Sequence, residues 1–313
     1  MWVDKRRSWI ELVILGGFAL PHIWMRTLTV TAIATVVTVL YEEVPALHYS
    51  LTVAPFTLVG LPLGIFLGFR NNTAYDRFWE ARKLWGALVN TSRSITRQAL
   101  TLIQPQLEPG AKTPEQVQEL QLRFVHLTIG YVHALRHHLR DTAPGDTLKE
   151  LLPRESFESL RDESNVPLAI LQRMGETVRL AYDQKWVHPF HVNVLEASLT
   201  ALTDIQGACE RIKSTPIPFS YTVLMHRIVA FYCVLLPFGL MDTVRWATPV
   251  VVLAISYCFF GLDAIGDEIE DPFGVDVNDL PLDSISRNIE RNLRARIGEE
   301  MPEPVIPQKG ILT

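Results

Sequence analysis

The sequence has only three cysteines among 313 residues, Cys209, Cys233 and Cys258, too few and too widely spaced for a disulfide framework or a CxxC metal site. They cannot all pair, which fits a reducing compartment or burial in a membrane. Other signatures are missing too. There is no Walker loop, no dinucleotide-binding glycine pattern and no nucleophile elbow, so nothing in the chain reads as an enzyme. Strand-like alternation and internal repeats are also lacking. A net charge of −5 excludes a general nucleic-acid binder. Charged residues are scarce overall, 20% against 48% hydrophobic, and the mean hydropathy is +0.15. Soluble helical proteins score lower and fully embedded transporters higher. The intermediate value predicts membrane helices joined to a sizeable water-exposed helical part. The N-terminal run has a basic head, but Glu11 interrupts its apolar stretch and no small-x-small site closes it, so no cleavable signal peptide is expected.

What the sequence does have is four apolar stretches. Thr27–Tyr41, the uncharged run from Val44 to Phe69, Ile228–Met241 and Trp246–Leu262 predict transmembrane helices at about 26–42, 51–70, 224–241 and 246–263. The first and third are short and need to borrow a turn from polar flanks. Lys5, Arg6, Arg7 and Arg26 precede the first. Arg70, Arg77, Arg82 and Lys83 follow the second, and Arg211, Lys213 and Arg227 precede the third. The two connecting loops hold only Arg245 between them. The positive-inside rule therefore puts both termini and the long middle in the cytoplasm of a multi-pass protein of the cell (inner) membrane, with lipid as its surroundings. The fold class is all-α, with a cytosolic helical part at about 71–220 and 264–313. The second span is expected to continue inward as one helix over Ala54–Arg97, and a loop to occupy Gln104–Gln116.

The second span carries the most information. Gly60, Gly64 and Gly68 recur every fourth residue, a strip that lets another helix approach closely. Leu61, Ile65 and Phe69 form an apolar strip beside it. Pro62 has no N–H, which leaves the Leu58 carbonyl without its helical partner and disrupts the helix there. Asn71 and Asn72 follow at the expected mouth. A narrow apolar waist with polar mouths is how a pore gates by dewetting, whereas a glycine strip alone more often marks an ordinary helix pair.

Three blocks, FLGFRNNTAYDRFWEARKLWG, CERIKSTPIPFSYTVLMHR (Cys209–Arg227) and EDPFGVDVNDLPLD (Glu270–Asp283), occur in the order in which they stand in the bestrophin family, and the sequence resembles its bacterial members over nearly the whole chain. The resemblance implies a single bestrophin-like unit over 1–313 that assembles as a homopentamer around a central pore. That assembly would pass small monovalent ions passively. It implies that Leu61, Ile65 and Phe69 form the neck, and by spacing from PIPF it places a second, cytosolic aperture at Phe190. Animal members conduct anions and open with calcium, whereas bacterial members favour cations. Pro62 resembles the animal neck, so the sign stays open. In the animal pattern an acidic run after PFG holds calcium, and Asp276 and Asp279 stand there as candidate ligands, with no EF-hand spacing.

His126, His133 and His137 fall near one helical face, and the last two have the i, i+4 spacing of metal ligands, though without an HExxH motif. Asp263, Asp267, Glu268, Glu270 and Asp271 follow the fourth span, to line a vestibule or pair with basic residues. Ile285, Ile289, Leu293 and Ile297 make a stripe for docking, and the Pro-rich tail after it is expected to be extended. The rival readings are a membrane-embedded helical metal- or haem-binding enzyme and a non-conducting scaffold.

Overall fold

Apolar content and helix propensity act together in this chain. The computed structural model describes residues 1, 20–44, 51–105, 114–160, 162–308 and 310–312, and these form helices joined by short turns. The basic residues Lys5, Arg6 and Arg7, Glu11 and most of the predicted Gln104–Gln116 loop lie outside them. No strand occurs among the described residues, only the isolated bridges Ile103–Val187 and Gln308–Ile311. The helices are α1 (Leu20–Glu43), α2 (Val53–Leu102), α3 (Glu115–Leu139), α4 (Gly145–Leu151), α5 (Arg154–Glu158), α6 (Val166–Asp183), α7 (Pro189–Ser214), α8 (Phe219–Val244), α9 (Thr248–Glu270) and α10 (Leu282–Ile297). The chain divides into two compact units, one of residues 4–78 and 216–272 and the other of 1–3, 79–215 and 273–313. Helix α2, 50 residues long, contributes to both.

In the first unit, α9 packs along α1 and α8. The core is made of Ile23, Val30 and Ala34 of α1, Leu63 and Leu67 of α2, Val229, Cys233 and Leu236 of α8, and Val252 and Phe260 of α9. The outer surface is also apolar. Met25, Leu28 and Val36 on α1, Phe231 on α8 and Val250 on α9 are all exposed, a surface suited to lipid rather than water. Ile23–Glu43, Val53–Leu102 and the 52-residue stretch Phe219–Glu270 are long and apolar enough to cross a membrane. The last holds α8 and α9, separated by the single 3-10 turn Arg245–Ala247, with Arg245 at φ +45°.

The threonine hydroxyls of α1 are satisfied inside the helix. Thr27, Thr31, Thr35 and Thr38 donate to the carbonyls of Ile23, Thr27, Thr31 and Ala34 at 2.7–3.0 Å, the local solution where no water competes. Helix α2 runs unbroken through Pro62. One lost ladder bond does not end a helix whose neighbours hold it on both sides of the gap. The Leu51 N–H, just before α2, donates to the Phe238 carbonyl at 2.9 Å and ties its start to α8.

The second unit is a helical bundle. Trp85, Leu88, Ile95 and Ala99 of α2 are fully buried, as are Phe124, Val125, Ile129 and Val132 of α3. Helix α6 packs on α3 and α7, and α10 on α3. Asn165 caps α6 through the Leu168 N–H at 3.1 Å. Gly298, at φ +75°, ends α10 in the left-handed conformation that glycine adopts without strain. Ile289 and Leu293 are buried against this unit, while Ile285 and Ile297 are half-buried. Residues 299–307 carry no regular structure.

Candidate functional site

At ~100° per residue, Leu58, Leu61, Ile65, Phe69, Asn72 and Asp76 project within about 40° of one direction on α2. Leu63, Leu67, Arg70 and Ala74 project the opposite way and are buried. All members of the first set are exposed, Leu61 at 71%, Ile65 at 51% and Phe69 at 59%. The helix thus has one face fixed to its own bundle and an opposite apolar face that no other described residue of the chain covers. Gly60, Gly64 and Gly68 behave differently from one another. A Cβ at Gly60 would sit 2.6 Å from the Tyr232 hydroxyl of α8, so that glycine serves packing within the chain. Gly64 and Gly68 have nothing within 4 Å.

The two asparagines also part company. The Asn71 Nδ2 donates to the Leu262 carbonyl at 3.0 Å, its Oδ1 is buried without a partner, and a Cβ on Gly266 would run into that oxygen. Asn71 therefore belongs to the contact with α9. Asn72 shares the exposed strip.

Below the strip, Arg70 is buried to 1% exposure. Its Nη1 donates to Asp263 Oδ1 at 2.8 Å, its Nη2 pairs with Asp267, and Glu270 Oε2 lies 3.9 Å away. His226 of α8 meets Asp263 Oδ2 at 2.6 Å through Nδ1 and Asp267 Oδ2 at 3.6 Å through Nε2. Arg77 Nε donates to the Glu270 carbonyl at 3.1 Å. Asp263, Asp267 and Glu270, all acidic residues after the fourth span, thus pair with basic side chains. Ligand atoms of His226, Asp263 and Asp267 lie within 4.8 Å of one another, but the Arg70 guanidinium already neutralises that group. Sequence reasoning took Arg70 as a flanking charge and passed over His226 and Asp76. The one signal for them was that α2, α8 and α9 each turn from apolar to charged at these positions.

In the second unit, Phe190 is 79% exposed in the first turn of α7, its ring stacked on His188 at 5.2 Å. Farther along α7, Asn193, Ala197 and Ser198 face Asn90, Ser94 and Gln98 of α2 across a cavity of about 570 Å³. Its lining carries no charge, and Ser198 donates to Gln98 at 2.8 Å. Asp276 and Asp279 form a closed turn: Asp279 Oδ2 accepts the Asp276 N–H at 2.6 Å, and the Asp276 carbonyl accepts the Asp279 N–H at 3.1 Å. Asp279 is buried and Asp276 exposed. One of the two carboxylates thus accepts a backbone amide, and two carboxylates alone supply fewer than the six to eight oxygens that calcium takes.

The three histidines do not converge on one point. His126 pairs with Glu299 at 2.8 Å and His133 with Glu290 at 3.1 Å. His137 Nε2 accepts from Arg136 at 2.7 Å and its Nδ1 donates to Thr142 at 2.8 Å. Burial, reinforced by the Arg136 charge, holds the His137 pKa down at about 4, and burial also lowers that of His133. Burial works to raise the Glu290 pKa, but its bond to His133 and the nearby Arg287 and Arg294 outweigh it and keep the carboxylate ionised. These are structural pairs of the bundle, and burial likewise pushes the Cys209 thiol up to about 12.

Comparison with known proteins gives a consistent result. The family model described as Bacterial/Fungal Bestrophin protein matches residues 1–295. A voltage-dependent anion channel-forming protein of Ralstonia nicotianae is 40% identical over 96% of this chain and 95% of its own length. One from Mesorhizobium japonicum is 36% identical over 99% and 96%. The crystal structure of a bacterial bestrophin homologue from Klebsiella pneumoniae superposes with a TM-score of 0.82 at 34% identity, covering 89% of this chain and 99% of that one.

Proposed function

The chain belongs to the bacterial and fungal bestrophin family, and from that premise we propose that it is a homopentameric membrane channel whose axial pore is lined by α2. It passes small monovalent ions down their gradient and carries out no covalent chemistry. Four spans cross the cell membrane, supplied by α1, the first part of α2, α8 and α9, with both termini cytoplasmic. Leu61, Ile65 and Phe69 form the apolar neck, Asn72 its polar mouth and Phe190 a second aperture.

The observation that carries this reading is the bare face of α2. Its apolar strip lies opposite a fully buried face, and beside it Gly64 and Gly68 leave room for another helix. Close-packed copies would enclose the strip in a narrow tube, where an apolar ring excludes water unless it widens. The uncharged cavity walls between α2 and α7 suit a vestibule that ions cross without being trapped.

Relatives at 34–40% identity are named as anion-channel-forming, and an anion current is the first expectation. One residue favours the opposite sign. Asp76 is exposed on the strip one turn past Asn72, and copies of it around an axis would concentrate cations. The deciding measurement is the reversal potential in planar bilayers under a sodium chloride gradient. A value near the chloride equilibrium potential extends the relatives' assignment to this chain. A value near the sodium potential, moved toward zero by Asp76→Asn, assigns the sign to that carboxylate. No current from a folded, assembled protein under any voltage refutes the channel reading and leaves the scaffold.

A further inference from the structure

Within the second unit, the last three turns of α2 and the end of α10 enclose a cavity of about 640 Å³. Arg93 and Arg97 reach it from α2, one helical turn apart, and Arg296 from α10. Leu100 and Leu293 form an apolar floor, and Asn292 adds an amide at the rim. Among the described residues, no carboxylate lines it.

The lack of partners separates these arginines from their neighbours. On α10, Arg287 and Arg294 bond to Glu290, Arg294 also to Glu299, and Arg291 to the Pro302 carbonyl. Elsewhere in the unit Arg136 and Arg140 share Asp283, and Arg211 holds Glu80. Among the described residues, the guanidiniums of Arg93, Arg97 and Arg296 have no ion pair or hydrogen bond. Three like charges around one hollow repel each other, at a cost that a bound anion would remove.

We propose that this cavity binds a compact phosphate-bearing polyanion. Guanidinium forks match phosphate oxygens with paired, charge-assisted hydrogen bonds. Three forks call for several charges on one ligand rather than a single chloride. The volume lies within the range of small-ligand pockets, about 300–1,000 Å³, and the leucine floor accepts a modest apolar body. None of its lining residues is among those assigned to the ion path above, and binding is read without channel activity.

The test is calorimetric titration of the intact, assembled protein in an uncharged detergent with inorganic tripolyphosphate. Orthophosphate and citrate at matched ionic strength serve as comparators. Saturable binding is expected, tighter for tripolyphosphate than for either comparator and weakening as salt rises. Arg97→Ala and Arg296→Ala should each weaken it about tenfold or more. Because these side chains are exposed, the ligand-free variants should melt no lower than the parent, with tripolyphosphate raising the melting temperature of the parent alone. Either of two results overturns the proposal. One is the absence of saturable heat up to millimolar tripolyphosphate, as expected if acidic residues of a second copy fill the cavity. The other is binding that survives Arg97→Ala combined with Arg296→Ala.

Discussion

Removing Arg70 should cost this protein more stability than removing any other single charge in the first unit. Its guanidinium has no exposed surface, and Asp263 beside it has a side-chain exposure of only 2%. Arg70→Ala leaves that carboxylate buried with the His226 imidazole as its one close basic contact and brings it nearer to repulsion by Asp267 and Glu270. Breaking a buried ion pair from one side costs about 3–5 kcal/mol. With an unfolding entropy of about 2.1 cal/mol/K per residue over the whole chain, that corresponds to a fall in melting temperature of about 5–8 °C. Asp267 is 40% exposed, so Asp267→Asn should cost about 1 kcal/mol or less. The informative variant is Arg70→Met with Asp263→Asn. Removing both charges removes the uncompensated group, and the double variant should recover at least half of the loss seen with Arg70→Ala. The assay is thermal unfolding followed by circular dichroism in one detergent, with assembly checked by size-exclusion chromatography. A melting temperature within 1 °C of the parent for Arg70→Ala, or a double variant no better than the single, would refute the account.

Four further outcomes follow from the same geometry. Ile65→Ala should widen the proposed waist and raise ion flux from an assembled protein, and unchanged flux in liposome assays would remove that residue from the gate. Gly60→Ala should cost about 1–3 kcal/mol, because the Tyr232 ring must yield. Gly64→Ala should leave the fold of one chain intact but weaken assembly, read as a mass shift by native mass spectrometry, and an unaltered assembly would argue against close packing at that face. Acid should loosen the second unit: the His137 pKa is about 4 when folded, below the ordinary 6.5, so its stabilising effect is complete above pH 6.5 and declines as pH falls toward 4. For this half-buried ring, screening by water leaves about 1 kcal/mol lost between pH 6.5 and 5, and His137→Gln should flatten that slope in thermal melts.

The helices were legible because apolar length and periodicity are local properties. The predicted Ala54–Arg97 helix is Val53–Leu102 in the structure. What sequence could not supply was partner choice. The i, i+4 spacing of His133 and His137 suggested a shared metal, but Glu290 lies 157 positions away and no local rule brings it to His133. Pro62 carries a local penalty that neighbouring helices absorb, so the expected disruption is a missing bond inside a continuous helix. Asn71 and Asn72 looked equivalent as adjacent residues. A turn of ~100° between them sends one to α9 and the other to the bare face.

The Arg70 cluster also supplies a level against which the strip can be placed. Helix α2 is uncharged until Phe69 and then presents Arg70. Helix α9 is uncharged until Leu262 and then presents Asp263, and α8 carries His226 and Arg227 just before its apolar run begins at Ile228. Arg70, Asp263 and His226 touch one another, so three helices change from apolar to charged at one height. At the opposite end, the Tyr41 hydroxyl donates to Asp242 at 2.5 Å where α1 and α8 finish. From Val53 to Arg70, α2 rises about 26 Å at ~1.5 Å per residue, close to the ~30 Å thickness of a bilayer's hydrocarbon core. A buried ionic cluster is costly in hydrocarbon and far cheaper at its edge, which favours this height as the boundary of the proposed spans. Leu61, Ile65 and Phe69 then fall inside the apolar zone, while Asn72 and Asp76 fall beyond it. A constriction that repels water and a carboxylate that selects ions would be separated along one helix face, so Ile65→Ala should change the size of the current and Asp76→Asn its sign preference.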